Sequence, residues 1–115
     1  MKHSLTRSFR FEAAHVLPWH RGKCSRLHGH SYRLEVTITG PLDVNGIVTD
    51  FGEIRQIVDA HVVQVLDHTY LNDRFDNPTV ELVASWVFET LEPHLRGLTS
   101  VRMWETADSS VAVHR

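Results

Sequence analysis

The sequence holds a single cysteine, Cys24, so no intrachain disulfide can form, and a lone thiol fits a reducing compartment. No apolar run approaches the ~18 residues that a membrane-spanning helix needs, and Met1-Lys2-His3-Ser4 does not read as the start of a signal peptide. The expected address is therefore cytoplasmic, without a membrane partner. Neither sign of charge is in excess: 12 Lys and Arg stand against 14 Asp and Glu, for a net charge of -2. With no sequence-wide positive field, nucleic acid is not expected as a partner either. Only 6 glycines and 4 prolines occur, without repeat or linker, which excludes a collagen-like or low-complexity chain. What remains is an ordinary globular balance, 42% hydrophobic and 23% charged, over 115 residues: one domain, residues 1–115. A domain of this size buries only about two-thirds of the surface its unfolded chain exposes, so self-association is a natural supplement to its core.

Histidine is the residue in plenty, with nine in the chain and no terminal tag. Their placement follows from the hydrophobic periodicity. Leu5, Arg7, Phe9, Phe11 and Ala13 alternate with Thr6, Ser8, Arg10 and Glu12, which predicts a half-buried strand whose inner face His15 continues. Val16 to Leu27 has no sustained period and predicts a long loop. Alternation returns from His30 to Thr39, with Tyr32, Leu34, Val36 and Ile38 on one face and His28 and His30 sharing its parity. Ile47-Val48 predicts a small edge strand between turn signals. Asp50-Phe51-Gly52-Glu53 has capping-box spacing and opens a helix to about Leu66 along Ile54, Ile57, Val58, His61, Val62 and Val65. Asn77-Pro78-Thr79 starts a second helix, with proline in its first turn and Leu82, Val83, Trp86, Val87 and Leu91 as its buried stripe. Val101, Met103 and Glu105 alternate in a third main strand, and Val111 to Val113 pair back across an Asp108-Ser109-Ser110 turn. The order β-β-α-α-β-β predicts an α+β fold, an antiparallel sheet with two helices on one face.

Each inward row ends in an ionisable residue: His15 on the first strand, His28 and His30 on the second, Glu105 later. At i and i+2 in a strand, His28 and His30 point to one side, and Gly29 between them leaves room for neighbouring backbone. With His15 they make a three-histidine set for Zn²⁺ with the fourth position open, as in catalytic zinc sites. Ordinary hydrogen-bonded histidines are the competing reading. Cys24, four residues ahead of His28, suits a nucleophile or base, a zinc ligand, or an inert thiol. Asp67-His68 offers a carboxylate that orients an imidazole for proton transfer. Glu105 on an apolar face needs a compensating donor, either an arginine or a ligand edge presenting two N–H groups. Arg21, Lys23 and Arg26 form a basic loop that suits a phosphate chain or plain solvation.

Several segments together resemble the 6-pyruvoyl-tetrahydropterin synthase family: Phe11-Glu12-Ala13-Ala14-His15, Cys24-x3-His28-Gly29-His30, Asp50-Phe51, Leu66-Asp67-His68-x2-Leu71-Asn72, Asn77-Pro78-Thr79-x-Glu81 and Glu105-Thr106. The three-residue spacer after Cys24 is similar to the queuosine-pathway branch, whereas the pyruvoyl-forming branch typically has a longer one. Leu82 and Val113 depart from the family pattern, which often has Asn and an aromatic there. The resemblance implies a T-fold that assembles as a homohexamer, a dimer of trimers with active sites between subunits. It implies His15, His28 and His30 as zinc ligands, Cys24 as catalytic thiolate, Asp67 and His68 as an acid/base pair, Glu105 as pterin anchor and Thr79 as a substrate contact. The implied activity is a lyase taking 7,8-dihydroneopterin triphosphate to 6-carboxy-5,6,7,8-tetrahydropterin, acetaldehyde and triphosphate. The alternatives are pyruvoyl-tetrahydropterin formation at the same site, or a non-catalytic pterin-binding zinc module.

Overall fold

The computed structural model describes all residues, 1–115. Two 13-residue strands, β1 (His3–His15) and β2 (His28–Gly40), form its backbone as an unbroken antiparallel ladder from His3↔Gly40 to His15↔His28. Helix α1 (Phe51–Val58) continues through a π-helical stretch, Asp59–Val63, and a last turn, Gln64–Leu66. After it come β3 (Thr69–Tyr70), α2 (Val80–Leu91), β4 (Leu98–Thr106) and β5 (Ser109–His114). The sheet order is β3-β1-β2-β4-β5. Both helices contribute their apolar rows to one core with the inner face of this sheet, as the alternation predicts.

The sheet is mixed rather than wholly antiparallel, because β3 runs parallel to β1 at Ala13 and Ala14. His68 turns the chain there in the left-handed region, φ 58°, and its amide donates to the Glu12 carbonyl at 2.6 Å. The anticipated edge strand at Ile47-Val48 does not form. The carboxylate of Asp43 accepts from the amides of Asn45 and Ile47, so the local turn takes amides that a ladder would need.

Helix α1 begins where predicted, with Asp50 accepting from the Gly52 amide at 2.6 Å. Its buried row is Ile54, Val58, Val62 and Leu66. A strict four-residue repeat drifts around a helix of 3.6 residues per turn, and the wider π-helical stretch holds the row on the core. In α2 the N-cap is Thr79, whose hydroxyl accepts from the Leu82 amide, so Pro78 lies just before the first turn and not in it. Its buried face is Val83, Ala84, Val87, Phe88 and Leu91, while Leu82, expected inside, is 50% exposed. The connection to β4 turns at Gly97, φ 84°, where a Cβ would stand 2.6 Å from the Thr39 carbonyl oxygen. Only glycine fits there. The closing hairpin turns at Ala107-Asp108, one residue earlier than predicted, and β5 already begins at Ser109.

Candidate active site

The end of the β1–β2 ladder assembles the histidines. His15 is directly opposite His28, and His30 is opposite Ala13, so all three imidazoles leave the same face just beyond the stacked Phe11 and Tyr32 rings. His15 is fully buried. Its Nε2 lies 2.9 Å from His28 Nε2 and 3.3 Å from Glu105 Oε1, and His30 Nε2 lies 3.2 Å from the same oxygen. One ligand atom from each of these four residues falls within 4.8 Å of every other. Tetrahedral zinc with bonds of about 2.0–2.1 Å to nitrogen sets its ligand atoms about 3.3 Å apart.

The hydrogen bonds around the cluster decide what it can hold. His15 Nδ1 lies 2.8 Å from the Pro78 carbonyl oxygen and His28 Nδ1 lies 2.7 Å from the Arg26 carbonyl oxygen. A carbonyl only accepts, so each Nδ1 carries the proton and each Nε2 of a neutral ring presents a lone pair. Two lone pairs then face each other across 2.9 Å, an arrangement that only a shared proton or a cation relieves. His30 Nε2 is a buried nitrogen without a hydrogen-bond partner. An orphaned nitrogen beside two facing lone pairs and a carboxylate fits a divalent metal, and borrowed backbone carbonyls commonly orient such ligands. His15, His28 and His30 are thus brought together as expected. Gly29 is not forced by crowding, since a Cβ there would meet the Ala13 carbonyl oxygen at an ordinary 3.5 Å.

Charge in the cluster is coupled. Burial opposes a proton on His15, but the Glu105 carboxylate and the Pro78 carbonyl outweigh it and raise the pKa. For His30 burial dominates and lowers it, so that ring is neutral at neutral pH. The His15 ring and the other imidazoles hold Glu105 below the usual carboxylate range. Burial, with the Glu105 charge nearby, keeps the Tyr32 phenol firmly protonated.

Asp67 and His68 do meet, with Oδ2 3.0 Å from Nδ1. The other Asp67 oxygen accepts from the Glu12 amide at 2.8 Å, and this bond, followed by the His68 ring, keeps the carboxyl ionised below its ordinary range. Held by Asp67 at Nδ1, the His68 ring has Nε2 free for proton transfer. His68 and His30 line one recess of about 490 Å³ with Glu12, Ser31 and Tyr70. Cys24 sits half-buried in a 3₁₀ turn of the β1–β2 loop. Its carbonyl accepts from the Leu17 amide, and its thiol is not among the four side chains whose ligand atoms converge. Thr79 spends its hydroxyl oxygen on capping α2.

Several supporting residues escaped the sequence reading. Pro78 and Arg26 act through backbone carbonyls, which no side-chain pattern reveals. Asn72 bonds both the amide and the carbonyl of Val16 at 2.9 Å, fixing the chain directly after His15. Asn77 accepts from the Trp19 indole at 2.8 Å and ties the loop to the start of α2. Glu12 holds Asp67 and His68 through its backbone, a role that neither its outward place in the strand pattern nor its place in the Phe11–His15 motif reveals.

This geometry is that of a three-histidine, one-glutamate group able to hold a metal ion, in a sheet-and-helix domain. The pattern of the family described as 6-pyruvoyl tetrahydropterin synthase matches residues 4–115. The chain belongs to that family. A Synechocystis protein named 6-carboxy-5,6,7,8-tetrahydropterin synthase is 43% identical over 112 residues, covering 90% of this chain and 87% of that protein. A Pyrococcus furiosus protein named dihydroneopterin monophosphate aldolase is 39% identical over 98 residues, covering 83% of this chain and 82% of that one. The solved structure of Caenorhabditis elegans 6-pyruvoyl tetrahydropterin synthase superposes with a TM-score of 0.90 at 25% identity, over 100% of this chain and 96% of its own. The fold is thus the T-fold, α+β, that the motifs led one to expect.

Proposed function

We propose that this protein is a zinc-dependent carbon–carbon lyase of queuosine and 7-deazapurine biosynthesis. It converts 7,8-dihydroneopterin triphosphate to 6-carboxy-5,6,7,8-tetrahydropterin, acetaldehyde and triphosphate. The observation that carries the reading is the convergence of His15, His28 and His30, with two Nε2 atoms 2.9 Å apart and a third buried without a partner. The likeness to the Synechocystis enzyme supports the product branch.

His15, His28 and His30 hold the metal, which when bound supplies Lewis acidity to the hydroxyls of the substrate side chain. Glu105 receives the N–H edge of the pterin, a planar pair of donors matched by a carboxylate. Cys24 takes a carbon-bound proton as thiolate. His68, oriented by Asp67 at 3.0 Å, moves a second proton at its free Nε2. Thr79, with its oxygen already accepting from Leu82, contributes its hydroxyl proton to the substrate. The protein works in the cytoplasm as a homohexamer of two trimers with sites between subunits. The 79% exposure of the His68 side chain in the single chain supports a partner subunit closing over it.

Incubation of zinc-loaded protein with 7,8-dihydroneopterin triphosphate, followed by mass spectrometry, tests the reading. The expected products are 6-carboxytetrahydropterin, acetaldehyde and triphosphate. A pyruvoyl-tetrahydropterin product moves the protein to the sister branch, and saturable binding without product makes it a pterin-binding module. The Pyrococcus relative favours a second reading, aldol cleavage of a dihydroneopterin monophosphate without phosphate loss, which supplying the monophosphate in a parallel incubation detects.

A further inference from the structure

Glu105 occupies a place that its role as a pterin anchor does not explain. Its Oε1 is 3.3 Å from His15 Nε2 and 3.2 Å from His30 Nε2, within the group of converging ligand atoms. With its Nδ1 proton given to the Pro78 carbonyl, a neutral His15 ring presents a lone pair at Nε2. An anionic oxygen against that acceptor nitrogen is repulsive unless a shared proton or a cation lies between them, and a metal that takes three imidazole nitrogens relieves every such contact at once. No lysine or arginine is within ion-pair distance of Glu105; its ion-pair contacts are the two histidines alone.

The backbone sets this residue apart from the regular ladder. The β4–β5 register passes from Trp104↔Ser110 to Thr106↔Ser109, so Glu105 is the extra residue of a bulge, and the β2–β4 pairing stops at Arg33↔Trp104. Bulges of this kind re-aim a side chain next to a site. Glu105 is 25% exposed and also lines an open cleft of about 360 Å³ with Arg10, Ser31, Arg33 and Trp104. It therefore touches both the metal-ligand cluster and a solvent-connected recess.

We propose that Glu105 is a fourth, displaceable ligand of the metal in the resting protein. The inference rests on the zinc reading of the three histidines. In the absence of substrate the carboxylate closes the coordination sphere, as four protein ligands do in structural sites. When a pterin arrives, its N–H edge draws the carboxylate away, and a side-chain hydroxyl oxygen takes the coordination position that is given up. One oxygen donor replaces another, with no change of oxidation state. The same residue then recognises the substrate and opens the metal to it, so Lewis acidity is exposed only when the correct heterocycle is bound.

Cobalt(II)-substituted protein tests this without reference to turnover. In wild type, four protein ligands give the intense visible bands of tetrahedral cobalt. Adding neopterin, which carries the pterin edge and hydroxyls without a phosphate leaving group, changes that spectrum. Glu105→Gln and Glu105→Ala are expected to show the altered spectrum before neopterin is added and to lose at least roughly the tenfold in zinc affinity that removing a mere outer-shell partner of a ligand costs, read by chelator competition. Acetate added to Glu105→Ala restores the wild-type bands, a rescue that a purely structural role would not give. If the wild type and Glu105→Gln share one spectrum and one zinc affinity while His28→Ala binds no metal, this inference is overturned and the three-histidine reading stands. If the wild type itself takes up neither cobalt nor zinc, both fall.

Discussion

The buried, unpartnered Nε2 of His30 permits a test in which the sign of the effect depends on the metal. In metal-free protein an unsatisfied buried nitrogen costs about 1–3 kcal/mol. Changing His30 to Ala removes that cost and also removes the packing of a partly buried ring, two terms of similar size and opposite direction. His30 is neutral at neutral pH, since burial lowers its pKa, so no ion pair with Glu105 is forfeited there. Metal-free His30→Ala should melt within about 1 kcal/mol of metal-free wild type, or about 4 °C for a domain of this length. Zinc at a thousandfold its dissociation constant stabilises the wild type by about 4 kcal/mol, which raises its Tm by about 16 °C. The variant, with two imidazoles left, should lose most of that rise. Thermal melts at one protein concentration, in chelator and in zinc, give all four values. An equal zinc shift in both proteins refutes the ligand assignment. A metal-free variant that melts 12 °C or more below wild type, about 3 kcal/mol, shows that the ring is a packing element whose orphaned nitrogen costs little.

Changing Cys24 to Ala should leave one zinc per chain and lower turnover by about a hundredfold or more, measured by metal analysis and acetaldehyde release; loss of zinc instead makes Cys24 a ligand. Asp67 has a lowered pKa, first through the Glu12 amide and then through His68, so its contribution to stability is complete above the ordinary aspartate value of about 4 and is lost as pH falls through the lowered one. Wild type should therefore out-melt Asp67→Asn at neutral pH by a margin that narrows on acidification, and a margin unchanged down to about pH 2 contradicts the clamp. Gly97→Ala drives a Cβ to 2.6 Å from the Thr39 oxygen at a positive φ and should cost about 2 kcal/mol, seen as a Tm lower by about 8 °C; an unchanged Tm means the β2–α2 end of the fold relaxes freely.

The period-two rows ending in His15 and in His28-x-His30 were legible because a strand projects alternate residues to one side, whatever surrounds it. The helix start at Asp50 was legible for a similarly local reason, a carboxylate two residues from the amide it accepts. Leu82 was misread, because an apolar residue at the margin of a helical stripe is assigned inside or outside by the surface it meets. Ile47-Val48 looked like a strand by composition, but Asp43 had a nearer use for the amides. The hairpin turn was displaced by one residue because Glu105 sits in a bulge, which depends on two neighbouring registers at once.

By itself the sequence determined the alternation of faces, the number of main strands and helices, and which imidazoles share a face. Tertiary structure alone decided that His15 lies opposite His28 across twelve intervening residues, that the Pro78 and Arg26 carbonyls select the tautomers, and that Glu105 reaches the same point. The physical reason is range. Side-chain direction along a strand is set within a few bonds, whereas a ligand's protonation and its distance from a partner depend on backbone groups that only folding brings near.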